Sequence, residues 1–119
     1  MPNLHIGVIA HGDYDSDSYV TKYIDLSNDV TALQGFVRGV DNTVGWTVPE
    51  CYELILKEAR EKISWRPGSQ RAVVMIGDTV PHDQYYYASQ KNLRCIDWKE
   101  ELTEIKKTVS SILHISSTF

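Results

Sequence analysis

One stretch of the chain, Arg71 to His82 (RAVVMIGDTVPH), constrains the fold more than any other. It opens with a consecutive apolar run, Ala72 to Ile76, which is long enough for a β-strand buried on both faces. Such strands are typical of parallel sheets covered by helices, in which ligands bind beyond the carboxyl ends of the strands. Asp78 follows the run closely and is a candidate metal or substrate contact. Its alternative role is to cap the turn after the strand.

The bulk composition predicts one domain over residues 1–119. The chain is 42% hydrophobic and 24% charged, as is usual for globular proteins. A formal net charge of −4 without a basic cluster argues against a nucleic-acid partner. No apolar run approaches the roughly 20 residues that cross a bilayer, and the first residues do not resemble a secretory signal. We therefore expect a cytoplasmic protein without a membrane contact.

The two cysteines, Cys51 and Cys95, are too far apart in sequence for a thiolate zinc motif. They could form one disulfide bond, but free and mostly buried thiols are the preferred interpretation.

Hydrophobic periodicity and turn residues predict seven elements. They are strands at 4–10 and 19–25, helices at 30–39 and about 47–63, a strand at 72–76, a helix opened by Asp97, and a strand at 112–115. The first two strands are expected to form an antiparallel edge hairpin. The first helix carries an apolar stripe at Val30, Leu33, Val37 and Val40. This order predicts an α/β fold with a mostly parallel sheet between helices.

Several stretches together resemble a von Willebrand factor type A (vWA) domain, and the resemblance covers nearly the whole chain. They are Gly12-Asp13-Tyr14, Phe36-Val37, Thr43 to Leu54, Ile76-Gly77-Asp78 with Pro81-His82, and Asp97 to Leu102. The resemblance implies a Rossmann-like, three-layer fold with helices on both faces of the sheet. It also implies a protein-interaction module that is not an enzyme.

Domains of this family hold a divalent cation, usually Mg²⁺, in a metal-ion-dependent adhesion site at the carboxyl end of the sheet. By resemblance, Thr43 matches a ligand that precedes a central helix, and Asp78 matches an aspartate that follows a later strand. Mg²⁺ prefers such oxygen ligands and retains water at open positions. A partner carboxylate can then complete its coordination shell.

The family's Asp-x-Ser-x-Ser run does not occur in this chain. Aligned by resemblance, the chain starts at the second strand of the family, so the domain is expected to be incomplete or truncated at its N-terminus. Asp13 and Asp15 are possible substitute ligands in the loop after the first strand. Two protein ligands hold Mg²⁺ weakly, and we expect weak or no metal binding.

The absence of a central strand would leave two neighbouring strands with unpaired edges. Either the first strand moves into the vacant place, or two chains associate as a homodimer through these edges. Tyr85, Tyr86 and Tyr87 form a second candidate binding surface, because tyrosine is frequent at protein interfaces. The alternative is that the tyrosines are buried against the helices.

An enzymatic function is the alternative hypothesis. A rim of carboxylates containing Asp13, Asp15 and Asp78 would bind a metal for chemistry on phosphate esters. His11 and His82 could also join Asp78 in an acid–base site. No nucleophile motif or phosphate-binding glycine loop supports this hypothesis, and no catalytic residue is assigned.

Overall fold

The computed structural model describes residues 3–43, 50–83 and 95–116. Its elements are β1 (Ile6–His11), β2 (Thr21–Ser27), α1 (Val30–Gly39), α2 (Tyr52–Glu61), β3 (Ala72–Gly77), α3 (Trp98–Lys106) and β4 (Ser111–Ser116). The protein is thus a small α/β protein, and its described residues form two small sheets. No helix in these residue ranges is both long and apolar enough to cross a membrane.

The first sheet is an antiparallel hairpin of β1 and β2, as predicted. Val8 lies opposite Ile24 and His11 opposite Thr21, with a register shift near the start of β1. The pairing continues into the turn, where the Gly12 amide donates to the Val20 carbonyl oxygen at 2.8 Å. This extended pairing aims the polar loop after β1 toward the start of α2.

The second sheet pairs β3 with β4 in parallel, from Ala72 opposite Ser111 to Gly77 opposite Ser116. Helix α3 makes the crossover, and its predicted cap is confirmed, because the Asp97 carboxylate accepts from the Lys99 amide at 3.0 Å. A parallel strand pair joined by a helix is the predicted βαβ arrangement.

The described strands form two separate pairs instead of the single predicted sheet, since β1 does not pair with β3. The prediction that β3 is buried on both faces is also wrong. Val74 and Ile76 are 55% and 67% exposed, while Val73 and Met75 face the core. The strand alternates because α2 and α3 cover only one of its faces in the described part of the chain.

The core lies between the two helices α2 and α3 and the inner faces of the strands. Its buried residues are Leu56, Ala59, Ile105 and Val109. An ion pair also joins the helices, with Nη2 of Arg60 3.0 Å from Oε2 of Glu101. A second apolar cluster of Cys51, Leu54 and Ile96 lies close to the start of α2.

Helices α1 and α2 differ from prediction in informative ways. Helix α1 has the predicted bounds, but none of its residues is buried, so its apolar stripe does not pack into a core.

Helix α2 begins later than expected, at Tyr52. Glu50 instead forms a parallel bridge with Pro81, and its amide donates to the Val80 carbonyl oxygen at 2.9 Å. This extended pairing prevents Glu50 from joining the helix. The expected start of this helix, near residue 47, lies outside the described residues.

Candidate ligand-binding rim

Three segments meet beyond the carboxyl ends of β1 and β3, and together they are called the rim. They are the loop at 12–17, the start of α2 at 50–53, and the segment at 78–82. The closest link is between Nε2 of His82 and Oδ1 of Asp13, which are 2.8 Å apart. The bridge between Glu50 and Pro81 holds the third segment beside them. Side chains distant in sequence therefore converge where α/β sheets usually bind ligands.

The pair of His82 and Asp13 lies inside the protein, not on its surface. His82 is 0% exposed and Asp13 is 1% exposed. A tight turn holds Asp13 from the other side: its amide donates to Oγ of Ser16, and the Ser16 amide donates to the Asp13 carbonyl oxygen at 3.0 Å. The pair thus connects two loops and is shielded from solvent.

Glu53 is a second buried acid at the rim, and it joins the same two loops. Its Oε1 accepts from the Tyr14 hydroxyl at 2.9 Å, and its Oε2 accepts from the His82 amide at 3.1 Å. Burial raises the pKa of Glu53, although these two hydrogen bonds oppose the shift. Burial and the neighbouring Glu53 raise the pKa of Tyr14, so its hydroxyl keeps the proton that it donates.

The thiol of Cys51 completes this buried cluster. Its Sγ lies 3.3 Å from the Gly12 carbonyl oxygen, and Cys51 is fully buried. Burial, with Asp13 and Glu53 nearby, raises the pKa of the thiol, which suppresses the reactive thiolate. Cys95 is also free but exposed, so the alternative of a disulfide between the two cysteines is wrong. Cys51 is therefore a packing residue and not a nucleophile.

Glu50 is a titratable group of the rim whose pKa lies near neutral pH. Burial, followed by the negative charges of Asp13 and Asp78, raises its pKa from 4.5 to about 7, and His82 opposes the shift. The charges of Asp13 and Asp78 thus act on the carboxyl group of Glu50 across the rim. The rim is thus crowded with carboxylates, one of which takes up a proton near neutral pH.

The raised pKa of Glu50 predicts a pH-dependent contribution to stability. Because the folded protein holds the proton more tightly than the unfolded chain, this contribution is complete below about pH 4.5 and is lost as the pH rises through about 7. Glu50 is only partly buried, so solvent screening reduces the loss to about 1 kcal/mol. Urea unfolding at pH 5 and pH 8 should show this loss in the wild type, relative to Glu50→Gln. Parallel pH profiles of the two proteins would contradict the assignment.

The structure places the two predicted metal ligands differently. Asp78 follows β3 directly, is exposed, and lies at the rim beside Glu50. Its carboxylate makes no hydrogen bond to a described residue, so the alternative role as a turn cap is not seen. Thr43 is partly buried, and no described hydrogen bond joins it to Asp78. Tyr85, Tyr86 and Tyr87 lie outside the described residues.

Two further candidates from the sequence are Asp15, which lies at the rim, and His11, which packs against α2. Asp15 is partly buried and contributes to the field at Glu50. The ring of His11 packs edge-on against Tyr52, with centroids 5.3 Å apart, and its Nδ1 lies 3.1 Å from the Gly12 carbonyl oxygen. His11 therefore packs against α2, and its described contacts do not include Asp78.

The rim residues that sequence reasoning missed are Tyr14, Glu50, Cys51 and Glu53. From the sequence alone, Glu53 looks like a solvated residue of a helix, because a charged side chain is rarely fully buried without a partner. The Tyr14 hydroxyl and the His82 amide, which come from two other segments, make a buried acid favourable there. The one local signal is its position in the first turn, where the helix dipole favours an acid.

The described residues contain no group of three or more His, Cys, Asp or Glu side chains arranged to hold a metal ion. Comparison with known proteins finds no matching family model, no matching curated protein and no matching solved structure.

Proposed function

We propose that this chain is a non-enzymatic protein-interaction module that resembles a vWA domain with an incomplete metal-ion-dependent adhesion site. In this proposal the two sheets and three helices correspond to part of the family's three-layer fold. Asp78, with Thr43 as its companion, is the remaining part of the site and contacts the partner. Mg²⁺ adds to this contact only weakly, because the missing loop leaves too few ligands.

The burial of His82 and Asp13 is the observation that carries the proposal. A general acid or base must come within hydrogen-bonding reach of its substrate, and neither side chain is accessible from solvent. The thiol of Cys51 is equally buried. In this proposal the buried side chains of His82, Asp13 and Cys51 stabilise the rim. Asp78, by contrast, is exposed and can contact a partner.

Affinity capture with matched variants tests this proposal. The tagged protein is incubated with a cell extract, and retained proteins are quantified for wild type, Asp78→Ala and Asp17→Ala, with and without EDTA. Asp17 is an exposed acid of the loop after β1 and serves as the control. We expect a partner that survives EDTA, is retained by Asp17→Ala and is lost with Asp78→Ala. Equal capture by all three proteins would contradict a role for Asp78.

The second candidate is a metal-dependent enzyme acting on phosphate esters, and the pKa of Glu50 is the observation that favours it. A carboxyl group with a pKa of about 7 is suited to acid–base catalysis at neutral pH. A generic phosphoester assay with Mg²⁺ distinguishes the two candidates. Turnover that is lost in Glu50→Gln would favour the enzyme, and the interaction module predicts no turnover.

A further inference from the structure

A groove of about 480 Å³ separates the two sheets between β1 and β3. Its volume falls in the range of about 300–1,000 Å³ that is common for ligand pockets. Ile55 and Ala59 of helix α2 line the groove, as does Ile63, which follows the helix. Asp78 follows β3 directly but is not among the residues that line the groove.

The two walls of the groove are strand edges. In the described part of the chain β1 pairs only with β2, and β3 pairs only with β4, so one edge of each strand faces the groove. All consecutive residues of 72–76 line it. Since neighbouring side chains of a strand point to opposite faces, this pattern means that the backbone of β3 borders the groove. Such edges offer N–H and C=O groups to an added strand.

The surfaces above and below the groove are both apolar. On the inner side lie the apolar residues of α2, and on the outer side lie the exposed Val74 and Ile76. A strand inserted here would therefore project side chains onto apolar surface in both directions. Strands buried in this way carry continuous apolar sequences.

One end of the groove is cationic. Among the residues that the structure describes, no Asp or Glu lines the groove, although the chain carries a net charge of −4. Arg66 and Arg71 lie at the end where β3 begins. Their described hydrogen bonds go to carbonyl oxygens: Arg66 donates to Asn3 at 2.8 Å, and Arg71 donates to Arg66 at 3.1 Å. In the described residues neither guanidinium pairs with a carboxylate, so an incoming acid would find favourable charge there.

We propose that the groove binds an extended segment of a partner protein, which adds as a strand between β1 and β3. The segment is apolar over six residues, the length of each flanking strand, and carries an acidic residue at the end beside Arg66 and Arg71. This inference rests on the proposed function as an interaction module and names the class of partner. A second copy of the chain fits less well. In a twofold dimer the cationic groove of one copy would face the identical cationic groove of the other, and the like charges would repel.

Fluorescence anisotropy with synthetic peptides tests the groove. The probe is a labelled peptide with the sequence Asp-Asp-Val-Ile-Ala-Val-Ile-Val, and a matched peptide starts with Lys-Lys. We expect the acidic peptide to bind about tenfold more tightly, because each charge-assisted hydrogen bond contributes measurably. Replacing the central alanine of the peptide by proline should abolish binding, since proline lacks an amide donor and resists strand pairing.

Charge reversal in the protein provides the decisive comparison. Arg66→Glu should remove the preference, so that the two peptides bind about equally, because the new carboxylate offsets the charge of Arg71. Arg38→Glu is the matched control, since Arg38 is an exposed arginine of α1 that does not line the groove, and it should bind like wild type. Circular dichroism confirms that each variant is folded.

Three outcomes would overturn the groove proposal. They are equal binding of both peptides, no binding by the folded wild type, and a stable dimer in light scattering that the acidic peptide does not dissociate. If peptide binding fails while capture still depends on Asp78, the groove proposal is wrong and the proposed function stands.

Discussion

We expect Asp13→Ala to lower the free energy of unfolding by about 3 kcal/mol, because it leaves the His82 imidazole buried without its carboxylate partner. His82→Ala should have a similar effect, since it removes the same hydrogen bond and opens a cavity. The double variant should lose much less than the sum of the two, because both changes break one interaction. Urea denaturation of the four proteins measures this cycle.

Asp17→Ala is the matched control for this cycle, since Asp17 is an exposed acid of the same loop. Surface substitutions of this kind change stability by less than about 0.5 kcal/mol. Losses of under about 1 kcal/mol for both single variants, or full additivity in the double variant, would show that the pair does not hold the rim together.

The second large effect is expected at Gly77, the last residue of β3. A Cβ atom at this position would lie 2.6 Å from Cζ of Tyr52 and 3.2 Å from its Cε1. Tyr52 is buried at the start of α2 and packs between His11 and His114, so its ring has little room to move. Gly77→Ala should therefore lower the free energy of unfolding by about 2 kcal/mol through overpacking.

Gly35→Ala provides a control of opposite sign. Gly35 lies inside α1, and a Cβ atom there meets nothing within 4 Å. Alanine should stabilise the helix by about 0.5–1 kcal/mol, because it restricts the unfolded chain more than glycine does. Thermal unfolding of both variants checks the pair. Equal and small changes at the two glycines would contradict the tight contact between Gly77 and Tyr52.

Local signals in the sequence account for much of the fold. The hairpin of β1 and β2, the bounds of α1, the Asp97 cap of α3 and the parallel β4 each follow from patterns within a few residues. The exposure of one face of β3 does not follow from such a pattern. An apolar run shows which residues are hydrophobic but not which elements pack against them. The sequence predicts that Val74 and Ile76 are core residues, but both are exposed in the structure.

The rim was predictable only in outline. Asp78 was placed correctly after β3, because an acid that follows a strand emerges at its carboxyl end. The role of Asp13 was not predictable, since its partner His82 comes from a segment 69 positions away and the two meet only through tertiary packing. The raised pKa of Glu50 has the same origin, because burial and acids from two other segments produce it.

The groove has a direct bearing on the predicted homodimer. The sequence resemblance predicts strands with unpaired edges. The described strands form two pairs with a groove between them. Association through these edges stays a prediction, and the peptide experiment separates a partner segment from a second copy. The arginines at the end of the groove favour the partner segment.

The most direct test of the account is a calorimetric titration of the chain with Mg²⁺ and Mn²⁺ at neutral pH, compared with Asp78→Ala and with Asp17→Ala as the control. The central claim is that Asp78 belongs to an incomplete metal site on a rim that binds a partner. It predicts that neither cation binds with submillimolar affinity to any of the three proteins. Submillimolar binding that is present in wild type and Asp17→Ala and abolished in Asp78→Ala would contradict it.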